Sequence, residues 1–142
     1  MPIGAFISSH KHMNLLKDHP KLGHITTFGG HPVIAAAGLA TIETLLNSTL
    51  MEASMEKEQL IRKLLVHESI REIRGRGLML ALILKNKELT DKLILGALQE
   101  GLVLFWLLFE PRAVRITPPL TITESEIKRG CRIILSLLKK HA

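Results

Sequence analysis

The stretch GHITTFGGHPVIAAAGLATIETLL, residues 23–46, joins a loop of turn formers and hydroxyls to a long apolar segment. Pro32 suits the first position of a helix, because the N–H group that proline lacks has no intrahelical partner there. Residues 33–46 are apolar or small nearly all the way round, which predicts a helix that is buried on most sides. We expect the first part of the chain to be organised around this helix.

The loop in front of this helix has the residue types of an anion site. Thr26 and Thr27 supply hydroxyls, Gly29 and Gly30 supply flexibility, and the helix N-terminus supplies unpaired N–H groups. The segment fits neither the G-x-x-x-x-G-K-[ST] nor the G-x-G-x-x-G phosphate loop. On residue chemistry alone, phosphate binding and a simple turn before a helix therefore both stay open.

Composition limits the classes of protein to which this chain can belong. Its 142 residues suffice for a domain with a sizeable core, and a hydrophobic fraction of 46% predicts surfaces that contact a partner. The net charge is +6, but aromatic residues are only 4% and the basic residues are scattered, which argues against nucleic-acid binding. The longest apolar runs, residues 77–84 and 101–109, are too short to span a bilayer, and no secretory signal is visible. We therefore expect a cytoplasmic protein that contacts no membrane.

The cysteine and histidine residues favour structural roles over a metal site. A single cysteine excludes an internal disulfide, and Cys131 shares a helical face with Ile127 and Ile134, which predicts a buried small hydrophobe. Histidines crowd the first part of the chain: His10, His12, His19, His24 and His31. Because no pair has i,i+4 spacing and no HExxH motif is present, we expect solvated or capping histidines and no metal.

The first fifty residues carry one further predicted element besides the helix. Residues 1–8, MPIGAFIS, are a short apolar run, which predicts a buried strand of a parallel sheet. A chain that begins inside a buried strand is unusual, because termini normally lie exposed. We therefore expect either a fragment of a longer protein or a strand that completes another chain's sheet. Residues 10–24 predict a polar connection with a short helical piece.

A change of domain is expected at residues 47–51, and alternating helices and strands follow it. An amphipathic helix is predicted over residues 52–67, and a central strand covered on both faces over 78–84, after a bend at Gly75 and Gly77. Arg74 and Arg76 flank that bend and could hold an anion, although pairing with local carboxylates or carbonyls is the simpler interpretation. Predicted next are a helix over 89–100, a strand over 102–109, a turn at 110–112, a strand over 113–117 and a helix over 127–138.

Four segments in one order resemble the class III aminotransferases, which use pyridoxal phosphate. They are MPIGAFISS, GHITTFGGHP with its Ala-rich helix, IREIRGRGLMLALIL and AVRITPPLTITESEI, and together they cover essentially the whole chain. The resemblance implies the C-terminal part of a fold type I transferase of the α/β class. Residues 1–50 would hold the last strand of the large domain, the phosphate-contacting loop and the interdomain helix. Residues 51–142 would form a small α+β domain with a short sheet covered by helices.

The resemblance also implies site residues. Arg115 is similar to the family's arginine that holds the substrate carboxylate, a group that a guanidinium grips through two parallel hydrogen bonds. From the residues alone, a structural salt bridge stays open for Arg115. Thr27 resembles the threonine that reaches the cofactor phosphate of the neighbouring subunit, and Thr26 is a weaker candidate for the same role. The family's motif usually has Asn before the proline, where this chain has His31.

The implied activity is transfer of an amino group from an amine or amino acid, such as ornithine or acetylornithine, to a 2-oxo acid by a homodimer. In the family, the Schiff-base lysine, the acid that holds the pyridine nitrogen and the aromatic over the ring all precede the position of Met1. We therefore expect no catalytic residue in this chain, weak or no binding of pyridoxal phosphate, and no transaminase activity from the chain alone. The alternative is a non-enzymatic interaction or assembly module derived from an aminotransferase.

Overall fold

The computed structural model describes residues 1–21, 23 and 25–141. The chain divides into two compact units, Met1–Ser48 and Thr49–Ala142. Leu22 and His24, which belong to the predicted polar connection, lie outside the described residues. Within those residues no single helix is both long and apolar enough to cross a membrane. The consecutive helices Pro32–Leu46 and Leu50–Leu64 reach that length and hydropathy only when they are taken together.

The unit Met1–Ser48 consists of two helices and their connections. Helix α1 (His10–Met13) leads into a 3-10 turn, Asn14–Leu16, which confirms the short helical piece predicted in this connection. Helix α2 (Pro32–Leu46) begins at Pro32, which confirms the predicted helix start. The ring Nδ1 of His31 accepts a hydrogen bond from the Val33 N–H at 3.3 Å, so the histidine caps this helix.

The predicted burial of α2 on most sides is wrong for the chain as described. Leu39 and Ile42 are 59% and 56% exposed, and Gly38 is the buried residue of the helix. An added Cβ at Gly38 would lie 3.0 Å from the Ile3 side chain, so burial here comes from one close contact. An apolar composition indicates that a helix packs against other parts of a protein. A unit of this size has too few other residues to bury it.

The strand predicted over residues 1–8 is also wrong, because residues 1–9 have no regular structure. Phe6 and Ile7 are 78% and 89% exposed. A strand needs a neighbour for its N–H and C=O groups. The described residues of Met1–Ser48 contain no other strand, so this apolar run has nothing with which to pair.

The unit Thr49–Ala142 is a four-stranded antiparallel sheet with helices packed against it, which confirms the predicted fold class. The strands are β1 (Ile70–Arg76), β2 (Met79–Leu84), β3 (Phe105–Leu107) and β4 (Glu110–Ile116), in the order β1-β2-β4-β3. The helices are α3 (Leu50–Leu64), α4 (Lys87–Gln99) and α5 (Glu124–His141). Helix α4 packs on β4 and on α5, and α5 also contacts α3.

The core of this unit lies between the sheet and the helices. Its buried members are Ile61, Leu65, Leu78, Leu80, Leu82, Leu84, Leu89, Leu93, Ile94, Ala97, Leu104, Val114, Ile116, Ile127, Cys131, Ile134, Leu137 and Leu138. Strand β2 supplies Leu82 and Leu84 to this cluster, both fully buried, while Ile83 on the opposite face is 2% exposed. The prediction of a central strand covered on both faces is thereby confirmed for the second half of β2.

The predicted boundaries around β3 and β4 are wrong. The apolar run over residues 102–109 forms a strand only at β3, and the chain reverses at Leu108 and Phe109 instead of at residues 110–112. Those two side chains are 90% and 97% exposed. Glu110 belongs to β4, where its carboxylate accepts from the Arg112 N–H and guanidinium. The turn was predicted wrongly because its residues, Leu108 and Phe109, are apolar and therefore looked like a continuation of the strand.

The predicted stop after α4 and the predicted cap of α5 are confirmed, whereas the helix predicted over 52–67 ends earlier, at Leu64. Gly101 follows α4 with a φ of 75°, a left-handed conformation that glycine adopts easily. Thr123 and Glu126 form the capping box of α5: the Thr123 N–H donates to the Glu126 carboxylate at 2.8 Å, and the Glu126 N–H donates to the Thr123 hydroxyl at 3.3 Å. Cys131 is 5% exposed in the core, as its helical face predicts.

Candidate functional site

The residues that sequence reasoning singled out fall into two places. Arg115 lies on β4 in the unit Thr49–Ala142, whereas Thr26 and Thr27 lie in the loop before α2 in the unit Met1–Ser48. Each place is therefore described within its own unit. Within the described residues, no group of three or more His, Cys, Asp or Glu side chains is positioned to hold a metal ion.

Strand alternation directs Arg115 away from the core. Val114 and Ile116, its neighbours on β4, are buried under the helices, so the side chain of Arg115 belongs to the opposite face of the sheet and is exposed. Across the sheet Arg115 is paired with Ala81 on β2 and with Phe105 on β3. Its guanidinium carbon lies 5.8 Å from the centre of the Phe105 ring, within reach of a cation–π interaction. The ring supports the guanidinium without neutralising its charge.

Arg115 has no carboxylate partner among the residues that the structure describes. By contrast, Arg112 on the same strand holds Glu110 at 2.9 Å, and Arg62 on α3 holds Glu58 at 2.8 Å. The structural salt bridge that the residues alone left open is therefore not formed within the described chain. An exposed, unpaired guanidinium is free to bind an external anion through two N–H groups.

An apolar cavity of about 410 Å³ lies beside Arg115. Its walls include side chains from α3, α5 and the segments that flank the β3 and β4 strands: Ile61, Leu65, Leu102, Leu104, Phe105, Ile116, Ile122, Ile127, Cys131 and Ile134. Burial raises the pKa of the Cys131 thiol to about 11, so this group is neutral at physiological pH. The cavity therefore has largely apolar walls, and Arg115 and Glu126 are the charged residues among those that border it.

The threonine loop is a tight turn that carries two exposed hydroxyls. The Gly29 N–H donates to the Thr26 carbonyl at 3.1 Å, and a Cβ placed on Gly29 would lie 2.6 Å from the Thr26 hydroxyl. A side chain at position 29 would therefore clash with the Thr26 hydroxyl. The Thr27 side chain forms no hydrogen bond with any residue of the described chain and borders a surface depression of about 560 Å³. Thr26 borders the same depression and its side chain also has no hydrogen bond within the described chain, so both hydroxyls are open to a ligand.

The start of α2 is partly satisfied by the chain itself. Pro32 has no N–H group, and the Val33 N–H is taken by the ring of His31. A histidine can therefore replace the family's usual asparagine as the cap. An anion at this loop would depend on the Thr27 hydroxyl more than on the first N–H groups of the helix.

Glu58 is an important residue that sequence reasoning missed. Its carboxylate accepts from the Gly77 N–H at 2.5 Å and from the Arg62 Nε at 2.8 Å. Arg62 in turn donates to the carbonyls of Ile73 and Gly75, so this pair ties α3 to the β1–β2 turn. Both hydrogen bonds favour the ionised form, and the pKa of Glu58 is lowered chiefly by Arg62. The i,i+4 spacing of Glu58 and Arg62 is the signal that could have indicated it.

Two other arginines of the sheet, Arg74 and Arg112, have local partners. Arg74 donates through Nε to the Glu72 carboxylate at 2.8 Å, which confirms the simpler interpretation of that arginine. The Arg112 guanidinium lowers the pKa of Glu110 to about 2. These pairs lie on the solvent side and leave Arg115 as the unpaired arginine of β4 in the described part of the chain.

Comparison with known proteins identifies the family. Residues 1–138 match the sequence model of the aminotransferase class-III family. The chain belongs to the class III aminotransferases. The resemblance drawn from its four segments is confirmed, and membership implies pyridoxal phosphate as the family's cofactor.

Individual class III relatives are longer than this chain. It is 35% identical to the putrescine aminotransferase of Pectobacterium atrosepticum over 146 aligned residues, which cover 99% of this chain and 31% of that protein. Among solved structures, an aminotransferase of Bacillus anthracis superposes with a TM-score of 0.79 at 21% identity, over 92% of this chain and 34% of its own. The adenosylmethionine-8-amino-7-oxononanoate aminotransferase of Methanocaldococcus jannaschii gives 0.72 at 26% identity, over 87% of this chain and 31% of its own. The chain thus spans about a third of the length of these relatives.

Proposed function

We propose that this chain is the C-terminal part of a pyridoxal-phosphate-dependent aminotransferase. Residues 1–50 would be the end of its large domain, and residues 51–142 its small domain. The family match over residues 1–138 and the one-third coverage of the relatives support this assignment. A cytoplasmic location is part of the proposal, and the buried free thiol of Cys131 suits a reducing compartment.

The complete enzyme would move an amino group from an amine or an amino acid of the ornithine or acetylornithine type to a 2-oxo acid. When bound, pyridoxal phosphate supplies an electron sink for the carbon from which the donor's proton is removed. The residues of this chain would bind and orient the reactants. They would not form the covalent bond to the cofactor.

Arg115 would hold the carboxylate of the acid substrate. The observation that carries this role is its exposed guanidinium on β4, supported by Phe105 and without a carboxylate partner in the described chain. A bidentate grip fixes both the position and the direction of a carboxylate, which is what a transferase needs to present the neighbouring carbon to its cofactor.

Thr27 would donate its hydroxyl to the cofactor phosphate of the neighbouring subunit in a homodimer. Its side chain has no hydrogen-bond partner in the described chain and faces a depression, and this supports the role. Thr26 remains the weaker candidate, because Thr27 is the residue that resembles the family's threonine. Backbone N–H groups of the turn would complete the contact with the phosphate.

A chimaera tests the role of Arg115. Residues 1–142 would replace the matching segment of the Pectobacterium putrescine aminotransferase, and Arg115→Met would be compared with Arg112→Met in that background. Because putrescine has no carboxylate, Arg115→Met should leave the KM for putrescine unchanged. It should raise the KM for the 2-oxo acid by about tenfold to a hundredfold, the usual effect of losing a charge-assisted pair. Equal effects on both substrates, or none, would refute the assignment.

The chain alone should lack transaminase activity. Incubation with pyridoxal phosphate followed by borohydride reduction should leave no stoichiometric pyridoxyl label on a unique lysine, because no lysine of this chain lies in a context that matches the family's. One fully labelled lysine, located by mass spectrometry, would overturn this expectation.

The alternative function is an interaction or assembly module derived from an aminotransferase. The exposed apolar side chains of Met1–Ser48, including Phe6, Ile7 and Leu39, favour it specifically. The same chimaera separates the two functions. A folded chimaera that binds pyridoxal phosphate but turns over neither substrate would support the module, whereas turnover would support the enzyme.

A further inference from the structure

The sheet of the second unit has two edge strands, β1 and β3, which differ in how they are protected. Strand β1 has a register shift in its pairing with β2 and carries four charged side chains, which are Arg71, Glu72, Arg74 and Arg76. Charged side chains and irregular pairing are features by which an edge strand avoids pairing with another chain. The β1 edge is therefore protected.

The β3 edge has neither of these charges nor a proline. Residues 101–109, GLVLFWLLF, contain β3 and the residues that lead into it and out of it, and none of the nine is charged. Among the described strands β3 pairs only with β4. The N–H and C=O groups on its other side therefore have no strand partner in the described chain. An uncharged apolar strand with a free edge is typical of segments that pair with a further strand.

The side chains of this segment are exposed as well. Leu108 and Phe109 in the turn are almost entirely exposed, and Val103, Phe105 and Trp106 are exposed before it. Five large apolar side chains thus reach the surface within residues 103–109. Exposed apolar residues that are this concentrated normally mark a surface that contacts another protein. The free backbone edge indicates that the contact is made by a strand.

We propose that the β3 edge binds the β3 edge of a second copy of this chain, as two antiparallel strands that join the two sheets into one. Residues 101–109 have no charge with which to select an acidic or a basic partner. They are complementary to themselves, because in an antiparallel pair of two such segments every residue faces another apolar residue. A second copy therefore satisfies both the free backbone groups and the exposed side chains.

Association through this edge should stop at two copies. A two-fold pair uses the same edge of both chains, so each β3 is consumed when the pair forms. The edges that remain at the two ends of the joined sheet are the charged β1 strands. This inference goes beyond the proposed function, because it concerns neither the cofactor nor a substrate. It also uses a different surface from the exposed apolar side chains of α2.

The test uses the full 142-residue chain with Leu39→Gln and Ile42→Gln, because the exposed residues of α2 offer a second contact. In this background, sedimentation velocity over a concentration series should show monomer and dimer and no larger species. Adding Phe109→Lys should raise the dimer dissociation constant by about tenfold or more, since a large apolar side chain leaves the contact and a charge enters the edge. Phe109 is exposed in the turn, so the fold should tolerate this change.

The matched control is Val66→Lys in the same background. Val66 is an exposed apolar residue outside residues 101–109, and its substitution adds the same charge to the chain. The dimer dissociation constant should therefore stay unchanged. A control that weakens the dimer as much as Phe109→Lys would show that general charge repulsion is responsible, which would refute the proposal.

Two local measurements test where the contact lies. Backbone amides of residues 102–107 should exchange hydrogen more slowly as the chain concentration rises, and Phe109→Lys should abolish that change. Trp106 is the single tryptophan of the chain and lies on β3. Its fluorescence emission should shift to shorter wavelength over the same concentration range, because pairing removes the ring from water.

The other outcomes refute the proposal. A monomer at every concentration would show that the edge stays unpaired. Species larger than a dimer would exclude a closed pair of β3 edges. Concentration-dependent protection of residues 1–9, alone or together with residues 102–107, would assign the contact to the apolar run MPIGAFIS of the other copy. None of these measurements involves transaminase activity, so they leave the proposed function to its own test.

Discussion

At the scale of single residues, Glu58 shows how a polar side chain can be essential to a fold without carrying chemistry. It is 9% exposed and bridges α3 to the Gly77 N–H in the turn between β1 and β2. Removing a partner from a buried donor leaves that donor unsatisfied, which costs more than the hydrogen bond itself contributes. The residue matters because its carboxylate accepts from the Gly77 N–H, which is distant in sequence, and from Arg62, one helical turn away.

The lowered pKa of Glu58 gives a pH prediction. Because its folded-state pKa lies below the unfolded value of about 4.3, its stabilising contribution is fully present above that pH and is lost as the pH falls through the folded-state pKa. Glu58→Gln should therefore lower the Tm at neutral pH, and its difference from the unmodified chain should shrink on acidification. Thermal melts followed by circular dichroism across that range measure it.

Glu68→Gln is the matched control for this measurement. Glu68 is exposed and has no hydrogen bond or ion pair within the described chain, so its substitution should leave the Tm unchanged at neutral pH. A Glu58→Gln difference that stays constant with pH would show that the carboxylate's charge does not contribute.

At the scale of elements, the β1–β2 turn depends on backbone conformations that most residues avoid. Gly75 has a φ of 109°, and an added Cβ would lie 2.0 Å from the Met79 carbonyl oxygen. Gly77 has a φ of 57°. The sequence predicted a bend at these two glycines, and the structure adds that a backbone atom of the partner strand excludes a side chain at Gly75.

Gly75→Ala should destabilise the chain by more than about 3 kcal/mol, since strain and a backbone clash add together. The control is Gly101→Ala, which also places alanine at positive φ, 75°, but has nothing within 4 Å of the added Cβ. That variant should lose only about 1 kcal/mol. Urea denaturation followed by fluorescence of Trp106 compares them, and similar losses would contradict the steric explanation.

The boundaries of β3 and β4 show where element prediction fails. Residues 102–109 are continuously apolar, yet Leu108 and Phe109 form the exposed turn. The register is set instead by pairing, because Phe105 and Trp106 lie opposite Arg115 and Val114. This pairing also places an aromatic ring against the guanidinium of Arg115, which spacing along the sequence could not indicate.

At the scale of the whole molecule, the two units differ in how well they cover their apolar residues. The unit Thr49–Ala142 encloses a cluster of buried leucines and isoleucines, whereas Met1–Ser48 leaves most of its large apolar side chains exposed. Apolar patches of this extent normally mark surfaces that contact another protein. We therefore expect the chain to associate through its first unit.

Leu39→Gln with Ile42→Gln should reduce this association, because both side chains lie exposed on one face of α2. Sedimentation velocity over a concentration series should show a smaller fraction of dimer or larger species than in the unmodified chain. The control Leu95→Gln changes an exposed leucine of α4, 55% exposed, and should not alter the distribution. A chain that stays monomeric at every concentration would refute the expectation.

By itself, the sequence determined the family, the class of the second unit, the start of α2 at Pro32, the cap of α5 and the burial of Cys131. These features depend on motifs or on interactions between residues that lie within a few positions of one another in the sequence. Only the tertiary structure decided that residues 1–8 form no strand, that α2 is exposed, that Glu58 holds the β1–β2 turn and that Arg115 rests on Phe105 without a carboxylate partner in the described chain. Burial and cross-strand pairing bring together residues far apart in sequence, so no local pattern encodes them.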